Sequence, residues 1–130
     1  MMAVKTKNKK RRVLIVEDDP FLVKAYKIRF EKESVDVEVA VNAEEALTYF
    51  KKTPPDAVLL DIMLPGMSGF ELLEEMKKVE KWKSVPVIIV SNLSQDKDID
   101  LAKKLGAVDY IVKADVNVGA VVREIIGKMK

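Results

Sequence analysis

Acidic side chains directly follow two apolar segments of this sequence. Residues 17–19, Glu-Asp-Asp, come after the apolar residues 13–16, and Asp61 comes after the apolar residues 57–60. Carboxylates brought close together repel one another strongly unless a cation lies among them. Mg²⁺ prefers such hard oxygen ligands and commonly keeps water and phosphate oxygens in its octahedral shell. If the two segments are neighbouring strands, the sequence predicts a Mg²⁺ site with room for a phosphoryl group.

Two further polar residues stand at the ends of apolar segments. Ser91 follows residues 85–90, and Lys113 follows residues 108–112. A cation and a hydroxyl can hold the oxygens of a phosphoryl group on Asp61, since a carboxylate that attacks phosphorus forms an acyl phosphate. Taken alone, each residue has a simpler explanation, because Asp and Ser often cap helices and Lys is usually solvated. The chemistry therefore depends on a fold that brings these residues together.

Apolar runs rich in β-branched residues alternate with segments of helical periodicity, which is typical of βαβ units. The runs are residues 13–16, 35–41, 57–60, 85–90 and 108–112. The first, third and fourth are largely or wholly apolar, as in strands buried on both faces, whereas the second alternates and the fifth contains Asp109. Strands two and five are therefore expected at the edges, which predicts the strand order 2-1-3-4-5. This is the order of a doubly wound, flavodoxin-like (βα)5 three-layer sandwich. In such a fold the site lies at the carboxyl ends of strands one and three.

Capping residues mark where helices should begin. Asn42 with Glu45, and Ser68 with Glu71, have the spacing at which two side chains satisfy each other's backbone amides. The last helix is predicted to end near Lys128. We therefore expect no DNA-binding or other output domain.

Composition limits the classes of function. The 130 residues are 48% hydrophobic and 34% charged, which suits one soluble domain. Without cysteine or histidine, disulfides, zinc centres and His-based triads are excluded. No segment is typical of a membrane span or secretion signal, so we expect a cytoplasmic protein. Residues 1–12 hold six basic and no acidic side chains, which predicts a flexible, solvated basic tail before a domain over residues 13–130.

The sequence resembles the receiver domains of two-component response regulators over about residues 12–128. The resemblance rests on residues 13–20, VLIVEDDP, on residues 60–66, LDIMLPG, and on Ser91 and Lys113 in register. It implies a stand-alone phosphorelay protein that is not an enzyme beyond its own phosphorylation and dephosphorylation. The implied donor is a sensor histidine kinase or a phosphotransfer protein. The target is an unknown protein, and the chain is a monomer or a phosphorylation-dependent dimer.

The resemblance also assigns roles to the acidic residues. Asp61 would be the phosphoacceptor, Asp18 a direct Mg²⁺ ligand and Glu17 a ligand through water. The backbone carbonyl of Met63 would be a further ligand. Asp19 is expected to serve only the loop structure.

By the same resemblance, Lys113 and Ser91 hold the phosphoryl oxygens. Ser91 would also act with Tyr110 as a switch that alters the face formed by the fourth helix, the fifth strand and the fifth helix. The alternative for Tyr110 is a half-buried aromatic residue of an edge strand.

Four positions depart from the family pattern or bear on the lifetime of the phosphorylated state. Ala114 replaces the usual proline, so we predict a trans or locally altered Lys113–Ala114 peptide, because cis bonds without proline are costly. Asn92 is larger than the usual residue and predicts slow transfer or hydrolysis. Met63 and Leu93 offer no group to position water, which predicts a long-lived phosphorylated state.

Three other functions share part of this residue pattern. A Mg²⁺-dependent phosphohydrolase with an aspartate nucleophile usually has a second acid at the place of Met63. A flavin carrier of the same fold is disfavoured because residues 17–19 would repel its phosphate. A receiver-like interaction module that needs no phosphorylation is the strongest alternative. Against it stand the retained residues Glu17, Asp18, Asp61, Ser91 and Lys113.

Overall fold

The computed structural model describes residues 10–129. Five parallel strands form one sheet in the order β2-β1-β3-β4-β5, which confirms the predicted topology. The strands are β1 (Arg12–Val16), β2 (Asp36–Ala40), β3 (Ala57–Leu60), β4 (Val87–Ser91) and β5 (Asp109–Val112). The helices are α1 (Pro20–Lys32), α2 (Ala43–Lys52), α3 (Gly69–Lys78), α4 (Asp96–Lys104) and α5 (Val118–Lys128).

Alternating side chains of the sheet lie in two separate hydrophobic cores. Val13 and Ile15 of β1 pack with residues of α1 and α5, whereas Leu14 and Val16 pack with residues of α2, α3 and α4. The strands β1, β3 and β4 are almost fully buried, and β2 and β5 are more exposed. The sheet is therefore covered on both faces, as its apolar central strands predict.

The predicted caps start α2 and α3. The Asn42 side chain accepts a hydrogen bond from the backbone of Glu45 at 2.9 Å. Ser68 and Glu71 form a complete capping box, with hydrogen bonds of 3.3 and 3.0 Å. These caps satisfy amides that have no partner in the first helical turn. They fix where the chain leaves the carboxyl edge of the sheet and becomes helical.

The sheet begins one residue earlier than the sequence suggests. Arg12 belongs to β1, and its guanidinium donates to the backbone oxygens of Thr53 and Pro54 at 2.7 and 3.1 Å. Positions 1–9 of the predicted flexible tail lie outside the described residues. Within residues 10–129, no helix has both the length and the apolar character needed to cross a membrane.

Candidate functional site

Parallel pairing of β1 and β3 places two acids side by side. Val16 is in register with Leu60, so Glu17 and Asp61 leave the sheet at the same edge. The backbone amide of Asp61 donates to the Val16 carbonyl at 3.0 Å, which extends the pairing into the site. Glu17 is 3% exposed and Asp61 is 4% exposed. Two carboxylates are thus held where water screens them poorly.

Asp18 completes an acidic cluster at this edge. One carboxylate oxygen from each of Glu17, Asp18 and Asp61 lies within 4.8 Å of the other two. All three donors are hard oxygens and Asp18 is exposed, so the set suits Mg²⁺ and leaves solvent access. The Met63 amide donates to Asp61 Oδ1 at 3.0 Å, which brings the backbone of Met63 to the same site.

Lys113 binds both buried acids. Its ammonium nitrogen lies 2.9 Å from Glu17 Oε2 and 2.8 Å from Asp61 Oδ2. The Lys113 side chain is 15% exposed, and it reaches the cluster from the end of β5. A buried anion requires a cation or hydrogen-bond donors, and Lys113 supplies both.

The pKa directions at this contact follow from burial and pairing. Burial is the largest influence on Glu17 and raises its pKa, although the hydrogen bond from Lys113 opposes that change. For Lys113, burial lowers the pKa, but the hydrogen bonds to Asp61 and Glu17 and the charges of these two acids raise it by more than burial lowers it. The net result is a Lys113 pKa above its ordinary value. Lys113 is therefore a stable cation beside the two acids.

Ser91 and Tyr110 meet at the loop after β4. Ser91 is fully buried, and its hydroxyl oxygen accepts a hydrogen bond from the Leu93 amide at 3.3 Å. The Tyr110 hydroxyl donates to the Leu93 carbonyl at 2.7 Å. Burial raises the pKa of Tyr110, so its hydroxyl keeps its proton and acts as a donor. The two predicted switch residues therefore share one backbone partner.

The departures at positions 92 and 114 lie beside Lys113. The Lys113–Ala114 peptide is trans, as the absence of proline predicts, and residues Lys113–Asp115 form one turn of 3-10 helix. Asn92 and Ala114 line a groove of about 480 Å³ together with Lys113 and Phe21. Phe21 is 85% exposed. The groove leads from solvent to the side of Lys113.

Asp19 has the structural role expected of it. Its carboxylate accepts hydrogen bonds from the amides of Phe21 and Leu22 at 3.0 and 3.3 Å, so it is the N-cap of α1. Its own amide donates to Glu17 Oε2 at 3.1 Å. Asp19 therefore orients Glu17 through the backbone.

Sequence pattern does not identify Gly69 and Tyr26 as residues beside the site. Gly69 begins α3, and a Cβ at this position would lie 2.6 Å from the Ile62 Cα and would also overlap the Asp61 carbonyl oxygen. The sequence does show a glycine directly after the Ser68 N-cap, but it does not show which backbone atoms that glycine approaches. Tyr26 lines a narrow void together with Glu17 and Asp61.

Gly69→Ala is expected to lower the free energy of unfolding by about 1–3 kcal/mol, the usual cost of overpacking. The added methyl group would meet backbone, which cannot rotate away as a side chain can. Urea unfolding measures this effect. Gly127→Ala is the matched control because nothing lies within 4 Å of a Cβ there, and it should gain about 0.5 kcal/mol in its helix. Equal stability of the two variants would contradict the close approach at Gly69.

The chain is similar to known proteins over the domain just described. The family described as "Response regulator receiver domain" matches residues 13–121. Protein PilH of Pseudomonas aeruginosa is 34% identical over 102 residues, which are 78% of this chain and 84% of PilH. Response regulator GtcR of Aneurinibacillus migulanus is 36% identical over 101 residues, 78% of this chain and 40% of GtcR. This chain thus spans less than half the length of GtcR.

A solved structure agrees with these sequence matches. The receiver domain protein from Methanospirillum hungatei, described as CheY-like, has a TM-score of 0.83 and 32% identity, covering 92% of this chain and 94% of that one. The family predicted from the sequence motifs is confirmed by these matches. This chain therefore belongs to the response regulator receiver domains, which are signalling domains rather than conventional enzymes.

Proposed function

We propose that the chain is the phosphoacceptor of a two-component phosphorelay. Asp61 receives a phosphoryl group from a sensor histidine kinase or phosphotransfer protein in a Mg²⁺-dependent reaction. The observation that carries this proposal is the Lys113 ammonium group, bound to Glu17 and Asp61 at 2.9 and 2.8 Å beside the exposed Asp18. Such an arrangement holds a carboxylate nucleophile together with the positive charge that an incoming phosphoryl group requires.

In the transfer step, an oxygen of Asp61 attacks phosphorus while the bond from phosphorus to the donor breaks. The product is an acyl phosphate on Asp61. The Met63 amide and the Lys113 ammonium hold the two Asp61 oxygens at 3.0 and 2.8 Å, which orients the carboxylate before reaction. Lys113 is close enough to transfer its hydrogen bond to a phosphoryl oxygen as charge moves there.

The residues that would hold Mg²⁺ are Asp18, Asp61 and the Met63 carbonyl, with Glu17 acting through water. When bound, Mg²⁺ offsets the combined negative charge of the carboxylates and the phosphoryl oxygens. The fit rests on the three carboxylates that lie within 4.8 Å of one another. Asp18 is the exposed carboxylate of the three, so an ion from solvent would enter the site beside it.

The response to phosphorylation would pass through Leu93. The amide of Leu93 donates to Ser91, and its carbonyl accepts from Tyr110. If Ser91 turns to a phosphoryl oxygen, it releases that amide and alters the support of the Tyr110 hydroxyl. Phosphorylation would thereby shift the population of conformations at the face formed by α4, β5 and α5, where a protein target binds.

A cytoplasmic location suits this function. Signalling would depend on contacts between this domain and a protein target. The chain would act as a monomer or as a phosphorylation-dependent dimer.

Intact-mass spectrometry after incubation with acetyl phosphate tests the proposal. We expect one phosphoryl adduct when Mg²⁺ is present and none when it is chelated. The adduct should outlast the first seconds after the donor is removed, because neither Met63 nor Leu93 positions a water molecule. An adduct that forms without Mg²⁺ would contradict the metal requirement. No adduct under any condition would favour a phosphorylation-independent interaction module.

A further inference from the structure

The hydroxyl of Tyr26 is buried in the core beneath α1. The residue lies on the inner face of α1 and is 1% exposed. Its hydroxyl has no hydrogen-bond partner among the described residues. An unpaired buried hydroxyl costs free energy, and phenylalanine would fill the same space without that cost. A buried polar group of this kind calls for a physical explanation.

The surroundings of the hydroxyl point to the acidic cluster. Tyr26 lines a void together with Glu17 and Asp61, and the void is too narrow to admit a water molecule. The rest of the lining is apolar and consists of Ile15, Val16, Leu59, Leu60 and Val90. Within that lining, Glu17 and Asp61 are the residues whose side chains can accept a hydrogen bond. A water molecule does not fit in this void, so the side-chain acceptors within its lining are these two carboxylates.

The hydroxyl is suited to donate rather than accept. Burial raises the pKa of Tyr26, and the charges of Glu17 and Asp61 raise it further. The phenol therefore keeps its proton beside two acids. On Glu17, the hydrogen bonds from Asp19 and Lys113 both go to Oε2, and Oε1 accepts none from the described residues. One oxygen of Glu17 is thus available to a further donor.

We propose that Tyr26 is a positioning residue whose hydroxyl donates to the Glu17 carboxylate when Mg²⁺ is bound, and so fixes Glu17 beside the metal. The inference rests on the Mg²⁺ dependence proposed above. A residue on the core-facing side of α1 would then help to hold the acidic cluster in place. When Lys113 turns to a phosphoryl oxygen, Glu17 loses one donor, and Tyr26 is placed to supply another. Groups that orient metal ligands in this way commonly change metal affinity about 10- to 100-fold.

Tyr26→Phe tests the inference, with isothermal titration calorimetry of Mg²⁺ as the main measurement. We expect the dissociation constant for Mg²⁺ to rise about tenfold or more. The stability of the metal-free variant should be equal to or greater than that of the wild type, because an unpaired hydroxyl has been removed. Tyr49→Phe is the matched control, since Tyr49 lies on α2 and does not line the void.

A second measurement follows the hydroxyl itself. Adding Mg²⁺ should change the near-ultraviolet tyrosine spectrum of the wild type and of Tyr49→Phe, and this change should be absent from Tyr26→Phe. Equal Mg²⁺ affinity of Tyr26→Phe and the wild type would overturn the inference while leaving the metal site in place. A loss of metal-free stability in Tyr26→Phe would also overturn it, because the role would then be structural. Failure of the wild type to bind Mg²⁺ would instead overturn the proposed function, and the inference with it.

Discussion

Asp61→Asn is expected to form no phosphoryl adduct with acetyl phosphate and Mg²⁺. The amide nitrogen and oxygen of asparagine keep the size of the carboxylate but remove its nucleophilic charge, so no acyl phosphate can form. The effect should be complete rather than partial, because no other carboxylate within residues 10–129 is held by both Lys113 and the Met63 amide. Intact mass, followed by fragmentation of the wild-type adduct, measures both the loss and the position of the phosphoryl group.

Asp19→Asn is the matched control for this experiment. It removes one negative charge from the same edge of the sheet, and asparagine remains a good N-cap for α1. We expect it to form the adduct at a rate close to that of the wild type. An adduct that persists in Asp61→Asn, or one that is lost in Asp19→Asn, would contradict the assignment of the phosphoryl group to Asp61.

Lys113→Met should lower the free energy of unfolding by about 3–5 kcal/mol near neutral pH, the usual cost of removing one partner from a buried ion pair. Methionine retains most of the side-chain volume, so the loss reports charge and hydrogen bonding rather than packing. Glu17 and Asp61, which are 3% and 4% exposed, would be left without their cation. Urea unfolding measures the change, and added Mg²⁺ should restore part of it by replacing the positive charge.

The loss in Lys113→Met should depend on pH in a defined direction. Burial raises the pKa of Glu17 above the reference value of 4.5, and removing Lys113 raises it further because the hydrogen bond and charge that oppose burial are gone. A carboxyl group with a raised folded-state pKa favours folding below its unfolded pKa, and this contribution is lost as pH rises through the folded value. The variant should therefore approach wild-type stability near pH 4.5 and fall below it as pH increases.

An exposed ion pair provides the comparison for Lys113. Lys78 lies 3.7 Å from Glu75, and their side chains are 65% and 51% exposed. Lys78→Met should change stability by less than about 1 kcal/mol because solvent screens such pairs. Equal losses of stability in Lys78→Met and Lys113→Met would contradict the stabilising contribution of the buried ion pair. A loss in Lys113→Met that grows as pH falls would contradict it as well.

The sequence alone determined the topology and the family. The apolar patterns of β1, β3 and β4 differ from those of β2 and β5 because central strands are buried on both faces and edge strands are not. Each pattern lies within a single strand, so it can be recognised in the sequence without knowing which residues are in contact in the fold. The caps at Asn42 and Ser68 are local for the same reason, since each binds an amide three residues away.

The tertiary structure decided which atoms of the site meet. Lys113 bridges two acids that lie 96 and 52 residues earlier in the chain, and periodicity reports only which face an element buries. The overlap at Gly69 depends on how closely α3 approaches the end of β3, and the unpaired hydroxyl of Tyr26 depends on a void between α1 and the sheet. Such contacts are set by close packing of several elements at once. The residues of the site follow from sequence pattern, but their pairing and support follow only from the packed fold.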